Sequence, residues 1–206
     1  MHANRADTAQ ISALVARAKQ GDREAFDGLV QCYTPQIYNL ALRITGSREE
    51  AEDCVQEAFL RAFSALRGFR GEAAFSTWLH RVAINVANDA ARRRSRQPLS
   101  ASDLADSASD DSPPELDRVA RHDGPYTNPP EEAVLRGQRR HFILRAIRSL
   151  PENHRTVVIL YDLQNLSYEQ IARITKTRVG TVKSRLNRAR LALKDLLSAH
   201  MELLRE

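Results

Sequence analysis

The sequence predicts an all-α protein with two small helical domains joined by a flexible acidic linker. Apolar residues recur at helical spacing through most of residues 11–96 and 129–193, and no segment shows the alternation of a strand. This periodicity is lost in residues 97–128, where Ser, Asp and Pro are frequent. Residues 166–190 have the pattern of two short helices joined by a tight turn. We therefore place the domains at residues 1–96 and 129–206.

Length and charge are consistent with this division and favour an anionic partner. A chain of 206 residues is long enough for two small cores, and its formal net charge is +5. The chain has 31 basic and 26 acidic residues, so its positive charge can attract an anion only where basic residues are concentrated. Cys32 and Cys54 have no His or Cys at ligand spacing, so we expect no metal site and a reducing compartment.

No segment has the composition of a membrane span or a secretion signal. There is no run of about eighteen apolar residues, and no apolar stretch follows the charges of the N-terminus. The sequence therefore predicts a cytoplasmic protein without stable membrane association of its own.

The first domain begins with a short helix from Ile11 to Gln20, closed by Gly21, and a longer helix capped by Asp22. Pro35 lies within the longer helix and should kink it or break it at Thr34, since proline removes a hydrogen bond. One apolar stripe predicts the buried face of this helix: Phe26, Leu29, Val30, Tyr33, Ile37, Leu40, Ala41 and Ile44.

The third helix has one apolar face and one acidic face. Ser47 and Glu50 form a capping-box pattern at its start. The apolar positions Ala51, Val55, Ala58, Phe59, Ala62 and Leu66 are predicted to face inward. The opposite face carries an acidic rim, which we define as Asp53, Gln56, Glu57 and the exposed Leu60. Two glycines in residues 66–72 predict a loop after this helix.

The fourth helix, from Phe75 to about Arg96, is basic at its end and carries amides on one face. Its inward positions are predicted to be Phe75, Leu79, Val82, Val86 and Ala90, and the opposite face holds Arg81, Asn85, Asn88 and Arg92. With Phe69 in the preceding loop and Trp78 near the start, this surface has the groups that bind single-stranded nucleic acid. The alternative is that both aromatics are core residues, which we favour for Trp78.

The second domain begins with a helix at Asn128 to Glu131, where an N-cap precedes proline in the first turn. Its inward stripe is predicted to be Leu135, Phe142, Ile143, Ala146 and Ile147. A further helix follows Pro151, from Glu152 to Asp162. Ser167 and Gln170 then form a second capping-box pattern, and Ile171, Ala172 and Ile174 should be buried.

The last helix, beginning near Gly180, is predicted to read duplex DNA. Its apolar positions are Val182, Leu186, Ala189 and Leu193, which leaves Lys183, Ser184, Asn187 and Arg188 outward. No acidic residue occurs between Arg173 and Arg190. The alternative is that this helix merely has a basic face exposed to solvent. The capping box, the run without acidic residues and the polar outward face together favour a helix-turn-helix. The turn lacks glycine, so Lys176 or Thr177 should carry a left-handed conformation.

Three segments together resemble bacterial RNA polymerase sigma factors of the extracytoplasmic-function group: AEDCVQEAFLRAF at residues 51–63, FSTWLHRVAINVANDAARRRSR at 75–96 and SYEQIARITKTRVGTVKSRLNRAR at 167–190. The resemblance implies that the first domain is sigma region 2, which binds the polymerase clamp and melts the minus-ten element. It implies that the last is region 4, which binds the flap and reads the minus-thirty-five element. It also implies a role in stress responses and an anti-sigma partner.

Carried onto this sequence, the resemblance assigns roles to three sets of residues. Core-polymerase binding falls on the acidic rim, Asp53, Gln56, Glu57 and Leu60. Binding of the minus-ten element falls on Phe69, Arg81, Asn85, Asn88 and Arg92. Binding of the minus-thirty-five element falls on Arg178, Thr181, Lys183, Ser184, Arg185, Asn187 and Arg188, with Arg178 and Arg185 as backbone contacts. Some relatives carry an aromatic residue where Asn187 stands, so the preferred base there cannot be transferred.

Two other functional classes are weighed against a sigma factor. A stand-alone helix-turn-helix regulator would bind operators as a dimer, but the first half shows no dimerising heptads and its acidic rim would be unexplained. An enzyme is disfavoured, because no Gly-rich phosphate loop, metal-spaced His set or nucleophile elbow occurs. We accordingly expect no catalytic residue, no cofactor and no metal, with core RNA polymerase and promoter DNA as partners.

Overall fold

A computed structural model of the chain describes residues 5–96 and 130–203. All regular structure within these two ranges is helical, which confirms the predicted fold class. The helices are α1 (Arg5–Lys19), α2 (Arg23–Thr45), α3 (Arg48–Ala65), α4 (Phe75–Arg96), α5 (Pro130–Ser149), α6 (Glu152–Val158), α7 (Tyr168–Thr175) and α8 (Val179–Leu203). The predicted linker and the cap at Asn128 lie outside the described residues.

Helices α1 to α4 form the first domain around a shared apolar core. The predicted cap of α2 is confirmed, because the Asp22 carboxylate accepts a hydrogen bond from the Ala25 amide at 3.0 Å. Leu29, Ile37 and Leu40 are fully buried, and each such side chain contributes about 1.5–3 kcal/mol of hydrophobic stabilisation. Of the two outcomes predicted for Pro35, a kink or a break at Thr34, the break does not occur, since α2 runs through Pro35 without interruption. Pro35 itself is exposed, so its ring lies on the solvent side while residues on the buried face hold both turns in place.

Helix α3 begins at the predicted cap and buries the predicted face. Ser47 accepts a hydrogen bond from the Glu50 amide at 3.3 Å, and the Glu50 carboxylate pairs with Arg94 of α4 at 3.6 Å. Cys54 is buried, and burial raises the pKa of its thiol to about 11. The thiol is therefore protonated at neutral pH and acts as a small core side chain.

Helices α5 to α8 form the second domain, in which a π-helical turn, Ile159–Leu163, continues α6. Ile147, Leu150, Val157 and Ile171 are buried in its core. Ile143 was predicted to face inward, but 42% of it is exposed. The prediction fails because, among the side chains described in α5, Ala146 is the first that is buried. Neighbouring helices cover the last turns of α5, in which Ala146 lies.

The two domains contact each other through α2 and α4 on one side and α5 to α7 on the other. Arg43 donates a hydrogen bond to the Leu163 carbonyl at 2.9 Å, and the amide of Gln164 donates to the Gln36 carbonyl at 3.3 Å. Gly46 ends α2 with φ of 81°, and a Cβ atom there would overlap the guanidinium of Arg148. The left-handed backbone favours glycine at this position, whereas the end of the flexible Arg148 side chain could move aside for a Cβ atom.

Candidate nucleic-acid and partner interfaces

The acidic rim lies on the solvent side of α3, as the sequence predicted. Asp53 and Gln56 are exposed, and Leu60 is 64% exposed although it is a large apolar side chain. Glu57 accepts a hydrogen bond from Arg61 at 2.6 Å, one helical turn away. Such an exposed pair contributes only about 0.2–1 kcal/mol, so a partner cation can replace Arg61 at little cost. The rim therefore combines carboxylates with an apolar anchor, which suits a basic protein surface.

Phe69 follows a 3-10 turn, Leu66–Gly68, and is held in place from two sides. The Lys19 ammonium donates a hydrogen bond to the Phe69 carbonyl at 2.8 Å. The Phe69 ring packs against Trp78, with centroids 5.2 Å apart, and against Phe75 at 6.0 Å. These contacts fix the ring before any ligand arrives, which reduces the entropy lost on binding.

An open cleft lies between this loop and the start of α4. Its walls include Phe69, Trp78, Arg81 and, from the second domain, Arg173. Trp78 is half-buried and belongs to the aromatic cluster, which supports its interpretation as a packing residue, but its ring also borders the cleft. Aromatic faces beside two guanidinium groups offer stacking and charge to a nucleobase and its phosphate.

The polar face of α4 is only partly open. Asn85 and Arg92 are exposed and Arg81 is half-buried, but only 6% of Asn88 is exposed, contrary to the prediction of an outward amide. Asn88 is covered because Glu152, the first residue of α6, reaches across from the second domain. The Asn88 amide donates to the Glu152 carboxylate at 3.2 Å, and Arg92 donates to both of its oxygens at 2.7 Å. Hydrogen bonds from Arg92 hold the pKa of Glu152 below its usual range.

The turn between α7 and α8 has the predicted geometry. Ser167 accepts a hydrogen bond from the Gln170 amide at 3.2 Å, and the Gln170 side chain accepts one from the Ser167 amide at 2.8 Å, which completes the capping box. Lys176 is left-handed with φ of 52°, as expected for a turn that lacks glycine. The Thr175 and Thr177 hydroxyls lie 2.9 Å apart and join the two ends of this turn.

Helix α8 separates an apolar face from a basic one. Val182, Leu186 and Ala189 are buried, and the exposed positions are Arg178, Lys183, Ser184, Asn187 and Arg188. Thr181 and Arg185 are half-buried at the edge of this face. The Lys183 ammonium lies 5.5 Å from the ring centroid of Tyr168, which restrains one base-reading candidate before DNA binds. We call this exposed set the recognition face.

The described residues contain no group of three or more His, Cys, Asp and Glu side chains that could hold a metal ion. Within the same residues, no helix is both long enough and apolar enough to span a bilayer.

Three contacts between distant residues could not be predicted from the sequence. Lys19 supports Phe69 across 50 positions, Glu152 meets Asn88 across 64, and Arg173 enters the cleft from the other domain. Each residue alone is a charged side chain on a helix, and none belongs to a local motif. Only the three-dimensional contact distinguishes them from other surface charges.

Two family models match the chain. The model described as Sigma-70 region 2 matches residues 29–97, and the model described as Sigma-70, region 4 matches residues 142–193. The RNA polymerase sigma-H factor of Pseudomonas aeruginosa is 40% identical over 91% of this chain and 94% of its own length. The ECF RNA polymerase sigma-E factor of Haemophilus influenzae is 37% identical over 92% of this chain and 96% of its own length. The chain belongs to the extracytoplasmic-function group of sigma-70 factors. Its function is that of an alternative sigma factor, a transcription initiation factor, which confirms the resemblance and favours it over a stand-alone regulator.

Further matches also cover most of the chain. The sigma-E factor of Escherichia coli K12 is 39% identical over 88% of this chain and 91% of its own. The structure of CnrH in complex with the cytosolic domain of CnrY superposes with a TM-score of 0.64 at 22% identity, covering 92% of this chain and 98% of that one. The sigma factor RpoE of Bartonella quintana, solved with the anti-sigma factor NepR, gives 0.56 at 25% identity over 84% and 96% of the two chains.

Proposed function

We propose that this sigma factor works through three surfaces, with region 2 at residues 1–96, region 4 at 129–206 and residues 97–128 as the tether. One observation carries the proposal: the acidic rim, the aromatic cleft with the polar face of α4, and the recognition face are all exposed in part and differ in chemistry. A protein that only reads duplex DNA needs the last of these surfaces alone. A protein that also joins a polymerase and opens a duplex needs all three.

The acidic rim is proposed to bind the polymerase clamp. Its carboxylates would steer a basic surface toward α3, and Leu60 would supply the apolar area that excludes water from the contact. Region 4 is proposed to bind the polymerase flap through the second half of α8, where Leu191 and Leu196 are 55% and 42% exposed.

The cleft and the α4 face are proposed to hold the melted minus-ten element. Extruding a base costs a few kcal/mol, which stacking on Phe69 and contacts to Asn85 can return. Arg81 and Arg92 would neutralise phosphates beside it, and Asn88 would contribute an amide once its contact with Glu152 is released. The arrangement binds an unpaired strand better than a duplex, so it favours the open complex.

The recognition face is proposed to lie in the major groove of the minus-thirty-five element. Lys183, Ser184, Asn187 and Arg188 project from one side of α8 and would contact base edges. Thr181 lies beside them at the edge of this face. Arg178 at the helix entrance and Arg185 at the edge of the face would contact phosphates.

Arg188→Ala and Arg178→Ala should have different signatures. Losing a base-edge contact should cost about 1–3 kcal/mol on the best upstream element and little on a scrambled one. Losing a phosphate contact should weaken all sequences alike and reduce the slope of log affinity against log salt by about one unit. Affinities of the holoenzyme for templates with a constant minus-ten element and varied upstream elements measure both effects.

The Arg178→Ala and Arg188→Ala variants serve as each other's controls, because both remove one exposed arginine from the same helix region. An equal loss of affinity for Arg188→Ala on cognate and scrambled elements would contradict the proposed orientation of α8 in the groove.

The remaining features of the proposal concern partners and location. We propose an anti-sigma partner, because the Bartonella quintana relative of similar fold is bound to one. We also propose that the chain is cytoplasmic, that it needs no cofactor or metal, and that it is not an enzyme. Nucleotide addition is then the work of the polymerase.

A gel-shift assay of the full chain on promoter duplex, with and without core polymerase, tests the proposed division of labour. A sigma factor should shift the promoter strongly only when core is present. A specific shift of similar strength by the chain alone would instead favour the stand-alone regulator.

A further inference from the structure

The contact between the two domains occupies part of the surface assigned to promoter DNA. Arg92 Nε and Nη2 each donate to a different oxygen of the Glu152 carboxylate at 2.7 Å. The Asn88 amide donates to one of the same oxygens at 3.2 Å. A guanidinium group binds two oxygens of a phosphate in the same forked geometry. Glu152 thus offers region 2 the charge and the acceptor atoms of a DNA backbone.

Further contacts support the same arrangement. His80 is buried in α4, and its Nδ1 donates to the Ser76 carbonyl at 2.7 Å while its Nε2 lies 3.0 Å from the Gln164 side chain. Arg43 donates to the Leu163 carbonyl, and Arg148 lies against Gly46. Arg173 of α7 borders the cleft that contains Phe69. Region 4 therefore touches region 2 at the polar face of α4, at the end of α2 and at the cleft.

We propose that region 4 of this chain is an intramolecular ligand of region 2, and that it competes with the minus-ten strand for Asn88 and Arg92. In the closed chain the Glu152 carboxylate takes the place of a strand phosphate. The inference rests on the proposed function, since it needs these two residues to bind DNA. The chain must open at this contact before region 2 can hold an unpaired strand.

Competition of this kind affects only one of the two DNA surfaces. The recognition face on α8 remains exposed while Glu152 is bound to Arg92. The apparent affinity for a strand on region 2 is reduced by the fraction of chains that are open, whereas the affinity of α8 for duplex is unchanged. The closed contact thus blocks region 2 for a melted strand and leaves the recognition face of α8 uncovered.

Three substitutions isolate the contact without altering the proposed DNA-binding residues. Glu152→Gln removes the charge and keeps the size of the side chain. Glu152→Asp keeps a carboxylate in the first turn of α6, where it favours the helix, but shortens its reach. Asp162→Asn is the matched control, because Asp162 also pairs with an arginine, Arg190 of the same domain, and its side chain is 31% exposed against 34% for Glu152.

Opening is measured on the full chain without polymerase. Spin labels on the exposed Cys32 and on Ser198→Cys, in a Cys54→Ala background, report the distance between the domains by pulsed electron spectroscopy. We expect Glu152→Gln to raise the ratio of open to closed chains about three- to tenfold, as a bidentate charged pair is lost. Glu152→Asp should lie between the wild type and Glu152→Gln, and Asp162→Asn should match the wild type.

Binding of a labelled single-stranded DNA of randomised sequence is measured on the same proteins. Its affinity should rise by the factor found for opening, and Arg92→Ala in the Glu152→Gln background should remove the gain. Wild-type distances in Glu152→Gln, with a normal thermal melt, would overturn the closed contact. Longer distances without tighter strand binding would overturn the competition. Longer distances with tighter binding that Arg92→Ala leaves intact would overturn the proposed DNA role of Arg92, and with it the competition, but not the contact.

Discussion

Glu57→Arg and Asp53→Arg are each expected to abolish co-elution of the chain with core RNA polymerase while its helicity and melting temperature stay unchanged. Both carboxylates lie on the solvent side of α3, and the buried face of that helix contains neither of them. A reversed charge at a docking surface replaces attraction with repulsion and costs several kcal/mol. Glu57→Arg also removes the partner of Arg61, but that exposed pair contributes little to folding.

Asp27→Arg is the matched control for these two variants. Asp27 is an exposed acid on α2, outside the acidic rim, and its reversal changes the net charge by the same amount. We expect Asp27→Arg to co-elute with core as the wild type does. If folded Glu57→Arg and Asp53→Arg co-elute with core as well as the wild type does, the acidic rim does not bind the clamp. Equal losses for all three variants would show a general effect of net charge.

Leu60→Ala tests the apolar part of the acidic rim. Its side chain is 64% exposed and contributes little to the core, so the substitution leaves folding unchanged. A loss of core affinity without loss of stability would mark Leu60 as an anchor that becomes buried on binding.

Local sequence signals predicted the helices and their ends well. Asp22, Ser47 and Ser167 cap helices because a short polar side chain can reach the amide three residues on, an interaction that needs only neighbouring residues. Lys176, one of the two residues expected to be left-handed in a turn without glycine, adopts that conformation. The apolar stripe of α8 likewise separates buried Val182 and Leu186 from exposed Lys183 and Arg188.

Features that depend on distant segments could not be predicted in this way. Asn88 reads as an outward amide on α4, yet it is buried because Glu152 approaches from the other domain. Ile143 fits the apolar stripe of α5, yet it is exposed because the packed part of that helix begins three residues later. Pro35 carries a breaking signal, but the buried side chains on either side outweigh it and α2 continues.

The same distinction applies to the candidate surfaces. Helical periodicity is sufficient to place Asp53 and Leu60 on the open side of α3, because the opposite side must be buried. Periodicity cannot place Phe69, whose position depends on Lys19 of α1 and on the rings of Phe75 and Trp78. The scaffold around a loop residue of this kind sets its position, and the sequence predicts only that the residue lies in a loop.

Phe69→Ala and Asn85→Ala are expected to impair promoter opening far more than formation of the closed complex. Both side chains are proposed to act on an unstacked base, which exists only after melting. Stacking of one base on an aromatic ring is worth about 1–3 kcal/mol, and a good amide contact to a base edge is worth about the same, so each variant should reduce the open fraction by roughly one to two orders of magnitude. Permanganate reactivity of unpaired thymines in the holoenzyme complex measures the open fraction, and a gel shift at low temperature measures the closed complex.

Packing and stacking by Phe69 must be separated, since its ring also contacts Phe75 and Trp78. Phe69→Leu is the control for packing, because leucine keeps apolar area against both rings but has no aromatic face for a base. If Phe69 stacks on the base, Phe69→Leu should melt near the wild-type temperature and open promoters as poorly as Phe69→Ala. Asn85 is exposed, so Asn85→Ala carries no comparable cost in folding. On a template with a pre-melted bubble, tight binding should still require both side chains. If binding to that template depends on neither side chain, the base pocket does not lie in this cleft.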